Sequence, residues 1–435
     1  MARIFALLLL LVVVVTPTVN VTEAAASRLA ILDGYFLDAN GAPIFLLGAN
    51  YEGPADRAWR MWDDDRFDAG LISWDFHRAR VANLSTLRIF VQQRLAEDIL
   101  ADRWSKLDTV MDLADQQGLR VILTFADYGE MRLANLAAID AKVAARYRYL
   151  ATILAYDLKN EPRFSDLALA VYPPGVAAAL QNPSLVAEVG ETVPRLAIPE
   201  LRQTELGHST VPARLTDDQA YVYVNLLAAY GRFQADAAAW ASLRSEGLER
   251  PVSGLRFVYA EESKSWDTFE AALNQSFGAW MKPRLDAIRA ADPLRPVTVG
   301  QVDPYLAALP VNLWLDYRSI HRYPHPSHAG VESTADWFDD LRTILPDSPL
   351  MLGEFGFSND GLGEQESADL ERDLVLAVRD RGGAGALKWM LNDFPQGFNP
   401  RENAFGMYRG DGSPKPVVFA FQALGALRPV PAITP

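Results

Sequence analysis

Eight short apolar runs, separated by longer segments of helical pattern, constrain this chain more than any other feature. They fall at 45–50, 86–91, 121–125, 153–158, 296–300, 317–321, 350–353 and 385–389. Runs of this length bounded by Gly or Pro read as strands buried on both faces of a parallel sheet. Between the second and third, residues 104–117 place Leu107, Val110, Met111 and Leu113 inward, with Lys106, Asp108, Asp112 and Asp115 on the polar side. That helix stops at Gly118. Helices are also predicted over 265–290 and 364–379. Eight strands alternating with helices make an α/β chain with the arithmetic of a (β/α)8 TIM barrel, a fold of about 250 residues before insertions. The turns Asp33-Gly34 and Asn40-Gly41, set among apolar residues of 29–47, predict a hairpin able to plug the barrel floor ahead of the first strand.

Two segments depart from the repeat. Residues 163–264, directly after the fourth strand, form an insertion of roughly a hundred residues where a barrel loop needs only a few. It begins Pro-rich (Pro173, Pro174, Pro183, Pro194, Pro199) and continues as an Ala-rich helical stretch over 217–242. Emerging on the catalytic face, it is expected to wall or lid a substrate cleft. Residues 1–26 read as a secretory signal peptide: Arg3, an apolar core over 4–15, and an A-x-A site at Ala24-Ala-Ala26. The mature chain, 27–435, is therefore expected outside the cell as one barrel with its hairpin and insertion, a monomer without stable membrane contact; an uncleaved membrane anchor is the alternative reading of 1–26.

Composition narrows the chemistry. With 435 residues, half of them hydrophobic, the chain can bury a large core. A net charge of -14 argues against a nucleic-acid partner, whose phosphates need basic surface. Cysteine is absent, which excludes disulfides, thiolate metal sites and a cysteine nucleophile.

Glutamate closes two of the runs. Tyr156-Asp-Leu-Lys-Asn-Glu-Pro162 ends the fourth, and Met351-Leu-Gly-Glu-Phe-Gly-Phe357 carries the seventh. Carboxylates at the C-terminal tips of barrel strands sit where barrel enzymes keep catalytic groups. Two of them facing one another are the equipment for cleaving a glycosidic bond.

The ordered motifs resemble the glycoside hydrolases of clan A, most closely family 5, the cellulase and mannanase family. They are Gly48-Ala-Asn50, Leu87-Arg88-Ile89, Asp157-Leu-Lys-Asn-Glu-Pro162, Ser319-Ile-His-Arg-Tyr-Pro324, Leu352-Gly-Glu-Phe-Gly356 and Gly412-Ser-Pro-Lys-Pro416. The resemblance implies a secreted, cofactor-free retaining β-glycosidase acting on β-linked oligo- or polysaccharides of mannan or glucan type. Glu161 would be the acid/base, holding a proton near neutral pH, and Glu354 the ionised nucleophile. Arg88 would bring positive charge to Glu354, Tyr323 would orient it, and Asn160 would bind the sugar 2-hydroxyl. His321 would lie near the acid/base and Trp389 would floor the reacting subsite, with Asn50 among the substrate contacts. Where many members carry a histidine after strand three, this chain has Phe125-Ala-Asp-Tyr-Gly129, closer to the mannanases, which makes Asp127 and Tyr128 candidate sugar contacts. The same residues could serve transglycosylation, and a carbohydrate-binding barrel without activity is the alternative from another class. A metal site from His321, His325, His328 and Asp316 is not expected, because Pro324 and Pro326 stiffen that loop.

Overall fold

The computed structural model describes residues 30–38, 40–128, 132–165, 182–202, 211–213, 215–248, 251–394 and 399–427; the expected leader over 1–26 lies outside them. Eight strands close a barrel: β4 (Leu46–Tyr51), β5 (Thr86–Phe90), β6 (Arg120–Thr124), β7 (Ile153–Asn160), β8 (Val297–Gln301), β9 (Arg318–His321), β10 (Leu350–Phe355) and β11 (Gly385–Lys388). Each lies parallel to the next and β11 returns to β4, so the chain is a TIM barrel with an insertion after its fourth strand. Nearly every strand residue is buried, as continuous apolar runs require when helices cover the outside and side chains fill the inside.

Strands β1 (Ala30–Leu32), β2 (Tyr35–Leu37) and β3 (Pro43–Ile44) form a separate antiparallel sheet. Asp33 and Gly34 both take positive φ in the turn between β1 and β2, the conformation that a tight hairpin demands. Phe36, fully buried, meets Tyr317 edge-on at 5.2 Å and packs with Leu46, Leu154, Met351 and Leu387 at the N-terminal end of the barrel. Burial of one such ring contributes about 1.5–3 kcal/mol.

The insertion's long helix runs Asp217–Ser245, three residues past its predicted end, and Thr216 with Gln219 forms a capping box at its start. Its apolar face lies against the helix Asp267–Ala291 and the loop after β8. Phe233 is surrounded by Phe257 (5.7 Å), Trp266 (5.8 Å), Phe269 (6.2 Å) and Tyr305 (5.7 Å). Tyr230 stacks near Phe164 and donates its hydroxyl to Asp303 Oδ2 at 2.6 Å. Glu188, from the short helix Pro183–Val189, accepts from the backbone N–H groups of Thr268 and Phe269 and so caps the helix that carries the cluster.

Candidate active site

Pleating turns alternate strand residues to opposite faces. On β4 it sends Tyr51 outward to bond Asp75 at 2.9 Å, while Asn50 turns inward to meet Arg88. Arg88 is the hub of the barrel mouth. It is fully buried and places every N–H: Nε and Nη2 on Asp157 Oδ2 (2.9 and 2.7 Å), Nη1 on Asn50 Oδ1 (2.9 Å) and Glu354 Oε1 (2.5 Å), and Nη2 on Asn160 Oδ1 (2.9 Å). Asp157 is held in turn by Gly300 N–H, the Lys159 N–H and the Thr124 hydroxyl. A buried charge persists only when paired and hydrogen-bonded, and this network satisfies the guanidinium completely. Its neighbours' negative charges, against the pull of burial, hold Arg88 above its ordinary range.

Glu354 lies within β10 and is almost wholly buried. Its second oxygen accepts the Tyr323 hydroxyl at 2.8 Å. Glu161 follows the last residue of β7 with φ of +45°, a left-handed conformation uncommon outside glycine. Its N–H is tied to Gly300 O at 3.0 Å, and its side chain stays 26% exposed. His321 Nδ1 stands between the two carboxylates, 3.0 Å from Glu161 Oε1 and 3.4 Å from Glu354 Oε1. Carboxylate oxygens of Glu161 and Glu354 come within 4.8 Å of one another. Gly300 makes the close approach possible: a Cβ there would sit 2.7 Å from His321 Nε2 and 2.9 Å from Arg88 Nη2.

Burial and neighbouring charge shift the two carboxyls in opposite directions. Burial pushes the Glu354 carboxyl up and prevails over the charges of His321 and Arg88, with Glu161 adding to the push. Burial also pushes Glu161 up, but the hydrogen bond and charge of His321, with Arg88 and Arg163, hold it below the ordinary carboxylate range. Before substrate arrives, the positive side chains thus favour charge on Glu161, the residue expected to carry the proton.

The remaining sequence candidates are placed differently from one another. Trp389 follows β11 and stands edge-on to Phe90 and Phe394, each at 6.1 Å. Beneath it, Lys388 forms a buried pair with Glu371 at 2.7 Å and donates to the carbonyls of Trp389 and Phe405. Asn50 has no exposure, lies level with Arg88 on the neighbouring strand and gives its amide to the carbonyls of Gly353, Leu387 and Lys388. Asp127 is half-buried and raised chiefly by burial, against the pull of Arg88. Tyr128 lines a crevice with Gln93, Leu100, Arg132 and Ile139, which the catalytic carboxylates do not line.

Sequence reasoning passed over Asp157, although it lies inside the quoted motif and on the strand that ends at Glu161. It also missed Glu52, two residues beyond Asn50 on the same face, and its partner Gln92. The aromatic wall of Phe90, Phe394 and Trp59 was missed as well; Trp59 packs 4.1 Å from Phe394. Spacing of two along β4 would have flagged Glu52. No local signal would have flagged the wall.

Glu161, His321 and Glu354 form the one group among the described residues with donor atoms close enough to share a metal ion. The donors do not suit one. Both Glu354 oxygens are taken, one by a guanidinium 2.5 Å away that would repel a cation, the other by Tyr323.

No family model matches the chain, and no curated protein matches it. Solved structures do match. Exo-beta-1,4-mannosidase Op5Man5 from Opitutaceae bacterium strain TAV5 is 17% identical with a TM-score of 0.53, over 90% of this chain and 61% of that one. GH5_18 from Streptomyces cattleya, in complex with GlcNAc, is 15% identical with a TM-score of 0.55, over 88% and 80%. The beta-D-glucuronidase of Dictyoglomus thermophilum is 13% identical with a TM-score of 0.51, over 92% and 54%. The chain thus spans little more than half of the mannosidase and glucuronidase it matches. At these identities the likeness establishes the barrel fold.

Proposed function

We propose that this protein is a retaining β-glycoside hydrolase, with Glu354 as nucleophile and Glu161 as acid/base. One observation carries the reading: carboxylate oxygens at the ends of barrel strands β7 and β10 approach within 4.8 Å, and one of the carboxylates is gripped by Arg88 and Tyr323. Retaining enzymes keep their carboxyl groups about 5–5.5 Å apart, whereas inverting enzymes leave room for water at about 6.5–9.5 Å.

In the first step a Glu354 oxygen attacks the anomeric carbon while Glu161 gives its proton to the departing glycosidic oxygen. Arg88 and Tyr323 aim the nucleophile, and Asn160, held by Arg88 at 2.9 Å, presents its amide to the 2-hydroxyl. Entry of the sugar removes the water that still reaches Glu161, and desolvation favours its protonated form. That shift counters the pull of His321 and readies the acid. Once Glu354 is esterified its negative charge is gone. Glu161, no longer repelled, then accepts a proton from the water that releases the sugar. Asn50, bonded only to protein groups, serves by fixing Arg88, and Trp389 offers its ring face to the sugar's C–H surface.

The substrate we infer is a β-linked oligosaccharide or polysaccharide. Support comes from similar structures described as a mannosidase, as a glucuronidase, and as a complex with GlcNAc. The leader-like residues 1–26 support action outside the cell. The test is hydrolysis of mannan, glucan and aryl β-glycosides by residues 27–435, with anomeric configuration followed by NMR. Product that first appears as the β anomer upholds retention; product that first appears as α overturns it.

A further inference from the structure

Above the Asn50–Arg88 layer lies a second set of polar groups that double displacement leaves without a role. Glu52 follows Asn50 by two residues, so the pleat turns it to the same side of the chain, and it is 1% exposed. Its carboxyl accepts from Gln92 Nε2 and lies in the field of Asp127, Glu354 and Arg88. Burial pushes the Glu52 carboxyl well up, and the charges of Asp127 and Glu354 push it further than Arg88 and Gln92 pull it back. Gln92 is itself only 7% exposed, and its Oε1 has no hydrogen-bond partner. Such an orphaned buried oxygen costs about 1–3 kcal/mol. Through Glu52 it lies beside Asp127 and the Glu354 carboxyl, where a ligand's hydroxyl can complete its bonding.

We propose that Glu52, Gln92 and Asp127 form a patch that reads the hydroxyl groups of the reacting sugar and selects a neutral glycone over a uronate. The proposal rests on the glycosidase reading and names the sugar class that site takes. Hydroxyls donate to carboxyl and carboxamide oxygens, so a neutral sugar satisfies all three groups. A uronate brings an acceptor-only anion. It would stand in the field of Asp127 and Glu354 and has no proton for the Gln92 oxygen, and Arg88 offers it nothing, since all five of its N–H groups are bonded to protein. A site built to bond a particular hydroxyl discriminates strongly against an analogue lacking it, because its own polar groups are then left unpaired.

The test compares aryl β-mannoside, β-glucoside and β-glucuronide, with the monodeoxy derivatives of the best neutral substrate, on the full chain and on Glu52→Gln. Neutral glycosides are expected to exceed the glucuronide in kcat/KM by at least 100-fold. Glu52→Gln is expected to lower kcat/KM tenfold or more, mainly through KM, and the penalty should vanish on the one deoxy sugar lacking the hydroxyl that Glu52 reads. A preference for glucuronide overturns the proposal, as does an equal penalty on every deoxy analogue, which would mean that Glu52 only supports the fold. Should thermal melting show Glu52→Gln unfolded, Gln92→Ala carries the same comparison. If no glycoside is hydrolysed, the hydrolase reading fails by itself, and calorimetry with mannose, glucose and glucuronate decides this one. Neutral sugars bound in preference, and weakened by the variant, uphold it; binding of glucuronate alone, or of none, overturns it.

Discussion

The barrel mouth and the ring cluster that seats the insertion after β7 are both buried, yet opposite chemistry holds them. At the mouth, Arg88, Asp157, Glu354 and His321 are packed as charged or polar groups, each aimed by a partner on another strand. Where the insertion seats, its Phe233 and Tyr230 meet Trp266 and Phe269 as rings at 5.7–6.4 Å, with one hydroxyl tied off at Asp303. Rings gain stability from area and tolerate a range of geometries. Buried charges do not: removing their water costs several kcal/mol per ion, and a hydrophobic replacement of similar shape is often more stable. A protein that keeps four such groups together keeps them for what they can do. The mouth is held by paired charge, the described part of the insertion by packed rings.

Variants of the two regions can break that comparison. The largest expected effect is on rate: Glu354→Gln should lower kcat on the order of 10^4-fold with little change in melting temperature, as loss of a covalent nucleophile does. A variant with more than a tenth of wild-type activity would remove Glu354 from the mechanism. Arg88→Met should lose both activity and about 3–5 kcal/mol of stability in urea denaturation, because Asp157 and Glu354 are left buried without their cation. Phe233→Ala should cost a similar 3–5 kcal/mol through the cavity it leaves, but kcat/KM measured well below its melting temperature should stay within about threefold. A collapse of rate there would make the insertion part of the catalytic apparatus.

His321→Gln sharpens the electrostatics. The histidine pulls both carboxylates down, so its removal should raise both. Activity needs Glu354 ionised and Glu161 protonated, so both limbs of the kcat/KM profile should move to higher pH. Limbs that stay in place would show that the stabilising charge is elsewhere. The smallest effect belongs to Tyr230→Phe, which deletes the bond to Asp303 and should cost about 0.5–1.5 kcal/mol, read as a shift in denaturation midpoint at constant slope.

Much of this molecule was legible in the chain. Apolar runs located all eight barrel strands to within about three residues, because a strand buried on both faces leaves an unbroken apolar signature. Glu161 and Glu354 were legible as carboxylates at strand ends. Tyr323 and His321 came from the resemblance, and the structure brings both against those glutamates. Asn50 shows the limit: its motif marked it for the site, but only packing shows it beside Arg88 with its amide given to backbone carbonyls.

By itself, then, the sequence determined the repeat, the strand order and the two glutamates, since these follow from patterns a few residues long. Tertiary structure alone decided the guanidinium hub, the Glu52–Gln92 pair, the opposite shifts of the two carboxyls and the seating of the insertion. Arg88 reaches Asn50, Asp157 and Glu354 across separations of 38, 69 and 266 residues. Charges act through distance and burial, and neither exists along the chain until the barrel closes.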